Sequence, residues 1–383
     1  MSKTCGITKN NSSIDFENSC QSAGVFYFCA MIDYIIVGSG LAGIALAEIA
    51  LQNGKSVLVF ENHSSQSSMV AGGIYNPVVL KRFSGLSGAQ QQLDAMNRFY
   101  CDVALRLDSD FNHPMPVLRK FASVEEQNDW FAASDRPSLS PFLSTNLVSD
   151  GFQAVNSPFG FGEVLQTGYV DTRAFVQAYR QYLKENGMFS GSSFDYSALE
   201  ISRNVSYKDI DARHVIFAEG FGVRNNPYFN YLPLNGTKGE LLIIRAENLP
   251  SEVIVKSDVF LVPLGNNLFK VGATYEWADK TELPTEAARN ELIEKLEKLV
   301  SCKYEVVAHE AGIRPTVKDR KALVGTHPIH PNLHILNGLG TRGVMLAPLM
   351  AETLLDHIEN QTEIAREVNI DRFNPLPRSD RNR

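Results

Sequence analysis

The first sharp pattern in the chain begins at Asp33. Tyr34-Ile35-Ile36-Val37 is an unbroken apolar run rich in β-branched residues, which suits a parallel strand buried on both faces. Gly38-Ser39-Gly40-Leu41-Ala42-Gly43 follows at once. Ile44 to Gln52 then reads as a helix with Gly54 beyond its end as a cap, and Ser56 to Phe60 reads as a second buried strand that stops at Glu61. Apolar residues at helical spacing predict helices over Gln90 to Leu107 and Glu125 to Ala133. Glu291 to Lys298 reads as an amphipathic helical stretch with a solvated charged face. Near the end, Leu333 to Leu336 predicts a strand, the glycines after it a turn, and Val344 to His357 a helix.

Strand, GxGxxG, helix, strand and acid in one short unit have a shared physical purpose. Gly38 permits a tight turn, Gly40 lets backbone N–H groups approach a pyrophosphate, and Gly43 lets the helix pack closely on the sheet. The helix N-terminus stabilises phosphate charge, and Glu61 accepts from ribose hydroxyls. The unit predicts a dinucleotide site whose first contacts are Gly38, Gly40, Leu41, Ala42, Gly43 and Glu61.

Composition bounds the rest. The 383 residues are 44% hydrophobic and 21% charged, enough for two substantial lobes, and the formal net charge is -7. That balance argues mildly against a nucleic-acid partner and leaves a local basic patch open. The five cysteines, Cys5, Cys20, Cys29, Cys101 and Cys302, are dispersed and form no CxxC, which fits reduced thiols in a cytoplasmic protein. His327, His330 and His334 lack metal-ligand spacing, so no metal is expected. Residues 1–30 read as a poorly ordered extension without the basic start of a secretory signal, and Met31 as an alternative start. The apolar stretch from Ala23 to Gly38 is too short, and too broken by Asp33, to span a membrane. The charged tail from Arg378 reads as solvated.

Several separated segments resemble the D-amino-acid-oxidase-type flavoprotein superfamily, most closely its glycine oxidase group, from about Asp33 to about Ile358. Met69 to Pro77, containing Ala71-Gly72-Gly73, looks like the loop whose small residues let backbone lie against a flavin. Gly168-Tyr169-Val170-Asp171 resembles the re-entry into the FAD domain. Val215 to Gly220 resembles a strand ending in Ala-Thr-Gly, with Glu219 in place of Thr. Lys238-Gly239-Glu240 with Leu241 to Ile244, Phe260 to Pro263 and Val271 to Thr274 resemble strands of the substrate domain. Gly312 to Asp319, then Asn337 to Pro348, resemble the return of the chain to the flavin.

The resemblance implies an α/β fold: a Rossmann-like FAD-binding domain, the FAD/NAD(P)-binding fold, with a second, mostly antiparallel α+β substrate domain. The first is assembled from residues 31–84, 166–227 and 312–371, the second from 85–165 and 228–311, and 372–383 is a tail. It implies FAD as the cofactor, held also by Ala71, Gly72, Gly73, Gly220, Gly338, Gly340, Thr341, Arg342, Gly343 and Val344. Backbone N–H groups at the last helix would face the pyrimidine carbonyl of the flavin, where negative charge builds on reduction. It further implies hydride transfer from the carbon beside nitrogen to flavin N5, with a small anionic amine or amino acid as substrate and oxygen or another acceptor as partner. Arg342 would face the substrate carboxylate and Arg314 assist, since a guanidinium fixes a carboxylate through paired bonds. Phe260 stands where the family often has a Tyr on that carboxylate, so Tyr75 and Tyr275 become alternative phenols. Relatives resembling sarcosine oxidase carry the Cys of their covalent linkage near the position of Arg314, where none stands here, and His63, the other candidate, reads as an exposed loop residue; noncovalent FAD is therefore expected. Two other readings stand beside this one. The C-terminal glycine segment also resembles the FAD domain of the bifunctional enzyme that trims a carboxymethylaminomethyl group on wobble uridine of tRNA. A flavin-binding protein without turnover is the other.

Overall fold

The computed structural model describes residues 31–61, 66–148 and 152–373; the expectations for residues 1–30, His63 and the tail from Arg378 lie outside them. Two eight-stranded sheets dominate. In the first, Ile32–Val37 lies between Val57–Phe60 and Ile210–Phe217, parallel to both, and Leu333–Asn337 continues the parallel order beyond Ile210–Phe217. The segments Tyr34–Val37, Val57–Phe60 and Val215–Phe217 of its inner strands are apolar and buried because both faces are covered there. Tyr34 and Ile36 enter a core with the helices Leu41–Gln52, Ala89–Leu107, Thr172–Glu185 and Gly343–Asn360. Ile35 and Val37 enter a second core with Phe194, Tyr207, Phe217 and Phe229. Each such fully buried aliphatic side chain contributes about 1.5–3 kcal/mol.

The helix Gly343–Asn360 carries Pro348 in its interior. Proline has no N–H, so the carbonyl of Val344 four residues earlier loses its helical donor. The hydroxyl of the buried Tyr100 donates to that carbonyl at 3.4 Å. Tyr100 belongs to the helix Ala89–Leu107, whose buried stripe also includes Leu93, Met96, Phe99 and Val103. That stripe packs along Gly343–Asn360 and so joins the first core, although the sequence grouped this helix with the second lobe.

The second sheet runs in the order Glu305–Arg314, Thr237–Arg245, Leu268–Gly272, Phe260–Gly265, Ile254–Lys256, Val117–Lys120, Phe161–Val164, Leu143–Val148. Every pairing is antiparallel except Ile254–Lys256 with Val117–Lys120. Residues 312–314, grouped by sequence with the first lobe, are still part of this sheet. Alternation gives its two faces different tasks. Leu242, Ile244, Leu261 and Val271 pack with Leu292 and Leu296 of the helix Glu286–Glu297. Gly239, Leu241, Lys256, Phe260, Gly312 and Arg314 face the opposite way, into a cavity between the sheets. Among the described residues no helix is long and apolar enough to cross a membrane.

Candidate functional site

One cavity of about 490 Å³ runs from the glycine turn after the first strand to the face of the second sheet. At its first end the backbone is arranged by three close approaches. Gly38 has φ +106° and donates its N–H to the carbonyl of Phe60 at 2.7 Å; a Cβ there would sit 2.4 Å from the carbonyl oxygen of Ala218. A Cβ on Gly43 would sit 1.8 Å from the carbonyl oxygen of Gly38, so only glycine lets this helix start where it does. Gly43 therefore shapes the turn from behind and does not line the cavity. Gly40 caps the helix without a side-chain bond, and the first turn holds no acidic residue. The N–H of Leu41 is met by Ser68 Oγ at 3.1 Å. The amides after it keep the partner-seeking geometry of a helix N-terminus, which suits phosphate.

Glu61, buried at the end of the second strand, lines the same end. Its Oε2 accepts from Ser39 Oγ and from Arg180 Nη2. Glu219 lines the cavity too, but its carboxylate turns to Tyr196 and to Asn226, whose Nδ2 donates at 2.7 Å. Burial pushes its pKa up, and the bonds from Asn226 and Tyr196 oppose that only partly. The Glu that replaces Thr here is thus a core anchor for the residue 220–229 turn, with Ala218 and Gly220 presenting backbone to the cavity.

The middle of the cavity is walled by Ala71, Gly72 and Gly73 on one side and by Leu339, Gly340, Thr341, Gly343 and Val344 on the other. Gly73 has φ +73°, and a Cβ would lie 2.0 Å from the carbonyl oxygen of Val170. A methyl group on Gly340 would find nothing within 4 Å, so backbone stands open to the cavity there. Gly338 lies behind this wall against Val317 and is not part of the lining. A flat aromatic system flanked by two backbone loops without side chains fits these walls, and phosphates fit the amide end; the residues present accommodate FAD.

The far end is formed by the second sheet. Phe260 lies over two glycines: methyl groups on Gly72 or Gly272 would each come within 2.8 Å of its Cζ. Arg314 crosses Gly239, where a Cβ would be 2.0 Å from its Nη2. Its Nη1 donates to the carbonyls of Lys238 and Thr274 at 3.3 and 3.2 Å, and its guanidinium stacks on Tyr275 at 4.5 Å from the ring centroid. Burial lowers its pKa, with the Tyr275 phenol pulling the other way. Among the described residues no carboxylate forms an ion pair with it.

Arg342 sits elsewhere. It is the N-cap of the last helix, it is absent from the cavity walls, and Glu367 is the acid acting on its charge. Tyr75 is buried under Gly168 and Asn112 rather than in the cavity. Tyr275 does line the cavity and is 62% exposed, which leaves it accessible at the mouth. Residues that the sequence did not name also line it, Ser67, Ser68, Lys256 and Asp258, as do Ser39, Gly239, Leu241 and Gly312, quoted in motifs but not as contacts. The alternation of the second sheet could have found Lys256, because it stands directly across the hairpin from Phe260.

Comparison with known proteins agrees with this arrangement. Residues 33–357 match the family model described as FAD dependent oxidoreductase. The glycine oxidase of Bacillus subtilis (strain 168) is 23% identical over 365 residues, covering 88% of this chain and 94% of that protein. The tRNA 5-methylaminomethyl-2-thiouridine biosynthesis bifunctional protein MnmC of Burkholderia pseudomallei (strain 668) is also 23% identical, over 89% of this chain; the match spans only 59% of that longer protein. The crystal structure of glycine oxidase from Geobacillus kaustophilus superposes with a TM-score of 0.73 at 20% identity, over 90% of this chain and 98% of that one. At that identity the likeness is one of fold.

Proposed function

Because the chain belongs to the FAD dependent oxidoreductase family, we propose that it oxidises the C–N bond of a small amino acid or secondary amine that carries a carboxylate. The observation that carries this reading is Arg314: a buried guanidinium at the reactive end of the cavity, held by two carbonyls and a ring, with no carboxylate partner among the described residues. Buried charges are normally paired, and a substrate carboxylate supplies the missing anion through two parallel bonds. This moves the leading role from Arg342 to Arg314.

When bound, FAD supplies the two-electron acceptor at its N5. The chain supplies placement. Arg314 fixes the carboxylate, Phe260 gives an apolar face without a hydroxyl, and Leu241 closes the floor beside it. The substrate carbon beside nitrogen gives up a hydride and the nitrogen a proton. The resulting imine is hydrolysed by water to a carbonyl compound and the free amine, and oxygen or another acceptor takes the electrons. Residues 31–84 and 166–227, with the chain after Arg314, hold the cofactor in this reading, and the second sheet holds the substrate. Incubation of the FAD-loaded protein in air, with an added artificial electron acceptor such as a phenazinium dye, with glycine, sarcosine and D-amino acids is expected to yield the matching 2-oxo acid with ammonia or methylamine. Absence of both products from every member sinks the reading.

Exposed Tyr275, stacked with Arg314, and exposed Trp277 two residues further along the chain favour a second reading, in which the same oxidation acts on a modified wobble uridine whose base stacks on those rings. Product formed from tRNA in the same incubation, with none from the small amines, selects it.

Among the described residues the cavity lining contains neither Cys nor His, and Arg314 stands where sarcosine-oxidase-like relatives carry a nearby Cys, so the FAD is expected to be noncovalent. Acid precipitation then leaves the yellow colour in the supernatant; colour retained in the pellet refutes this.

A further inference from the structure

The face of the second sheet that meets the cavity carries another cation, Lys256, which the proposed reaction does not use. It pairs across the hairpin with Phe260, whose partner on the next strand is Gly272, whose partner in turn is Leu241. Residues paired in this way share one face of a sheet, so Lys256, Phe260 and Leu241 form a row, with Arg314 lying over Gly239 two residues further along. Three strand spacings separate the strand of Lys256 from that of Gly239, roughly 14 Å between axes. Both side chains are long and lean into the same cavity, and the Phe260 ring lies between them.

The other charged groups at this end are already engaged or exposed. Lys295 is bound by Glu291 at 2.5 Å. Lys270 donates to the carbonyl of Ala71 at 2.8 Å. The Lys256 ammonium makes no hydrogen bond and no ion pair among the described residues. Asp258, at the hairpin turn, is exposed and acts on it only from beyond ion-pair distance. A half-buried ammonium without a partner, facing a substrate cavity, is an anion site.

We propose that Lys256 binds a second acid group of the substrate, so that the preferred substrate is an amine with two acidic groups separated by several atoms: an amino acid with an acidic side chain, or an N-carboxyalkyl amino acid. This rests on the reading of Arg314 as the site of the first carboxylate. The apolar Phe260 ring then has a task that a Tyr would perform less well, covering the methylenes between the two acids. Burial pushes the Lys256 amine down to about 8, with repulsion from Arg119 on the neighbouring strand, attraction from Asp258 and repulsion from Lys295 on the helix. The preference for a second acid is therefore full below that pH and shrinks above it as the amine loses its proton.

The test is calorimetric titration of the FAD-loaded protein with glutarate and with butyrate, which bind without turning over. At pH 7 glutarate is expected to bind about tenfold tighter, the low end for a close, desolvated charge pair. That advantage is expected to vanish in Lys256→Met, to persist in Lys256→Arg, and to shrink at pH 10, while butyrate affinity stays as it was. Equal affinity for the two acids, or an advantage untouched by Lys256→Met, overturns the proposal and leaves the Arg314 reading standing if Arg314→Ala weakens both. Failure of either acid to bind in a manner that depends on Arg314 removes both.

Discussion

Replacing Arg314 with alanine is expected to lower kcat/KM for carboxylate-bearing amines on the order of a hundredfold. The magnitude follows from losing one partner of a desolvated, hydrogen-bonded charge pair, about 3 kcal/mol. Arg314→Lys keeps the charge but loses the fork and the stacking on Tyr275, and is expected to recover only part of the loss. The melting temperature of the FAD-loaded protein should change little in either variant, because among the described residues the guanidinium is bound only by two long carbonyl bonds and a ring. If Arg314 were structural, the melting temperature would fall and the kinetics of every amine would fall together, with or without a carboxylate.

The second large effect is expected at Gly43. A methyl group there lands 1.8 Å from the carbonyl oxygen of Gly38, and backbone on both sides cannot yield. Gly43→Ala must push the helix Leu41–Gln52 away from the turn, which removes the N-terminal amides from the pyrophosphate position. The expected result is protein purified without flavin, with FAD affinity weakened by more than about a hundredfold, the cost of the roughly 3 kcal/mol that such overpacking imposes. Gly54→Ala is the control. Gly54 has φ +70° at the far end of the same helix with nothing within 4 Å of the added methyl, so it costs about 1–2 kcal/mol of backbone strain and should leave flavin content intact. Flavin absorbance per protein, followed by FAD titration of the apoprotein, separates the two.

These two residues differ in how far the chain discloses them on reading. Gly43 was legible because its constraint is local: the turn, the helix and the strand that require it lie within a few tens of residues, each with its own pattern. The first sheet was legible for the same reason, since its segments covered on both faces, such as Ile35 to Val37 and Val57 to Phe60, are continuously apolar. Arg314 was visible as a candidate, but that it lines the cavity while Arg342 does not was not visible. Two arginines in similar glycine-rich surroundings differ only in which way their strands and helices turn them, and that is decided by long-range pairing. Arg314 lies across Gly239, a contact set by the pairing of strands far apart in sequence, whereas Arg342 ends as a helix N-cap acted on by Glu367. Lys256 was hidden for the same cause. Its lysine is ordinary in sequence, and its meaning comes from the hairpin register that sets it opposite Phe260. Glu219 shows the reverse: a departure that drew suspicion in sequence turns out to be satisfied by Tyr196 and Asn226 inside the core.

The strand Glu305–Arg314 delivers Arg314 to the cavity at its last residue, and the chain crosses to the cofactor side directly afterwards through Pro315. A boundary drawn at Gly312 falls inside that strand, because Gly312 opens the segment that resembles the return of the chain to the flavin. In the fold it is the position where the second sheet passes close to the backbone of Ser67, and a Cβ there would stand 3.2 Å from the Ser67 Cα.

The most direct test of the central claim is anaerobic mixing of the FAD-loaded protein with glycine, sarcosine, D-amino acids, D-glutamate and iminodiacetate, alongside the matching amines without a carboxylate, while the flavin absorbance is followed. The account predicts bleaching by at least one carboxylate-bearing amine, none by its carboxylate-free counterpart at the same concentration, and a rate that collapses in Arg314→Ala. A flavin that stays oxidised with every amine would contradict it, as would bleaching that ignores both the carboxylate and Arg314.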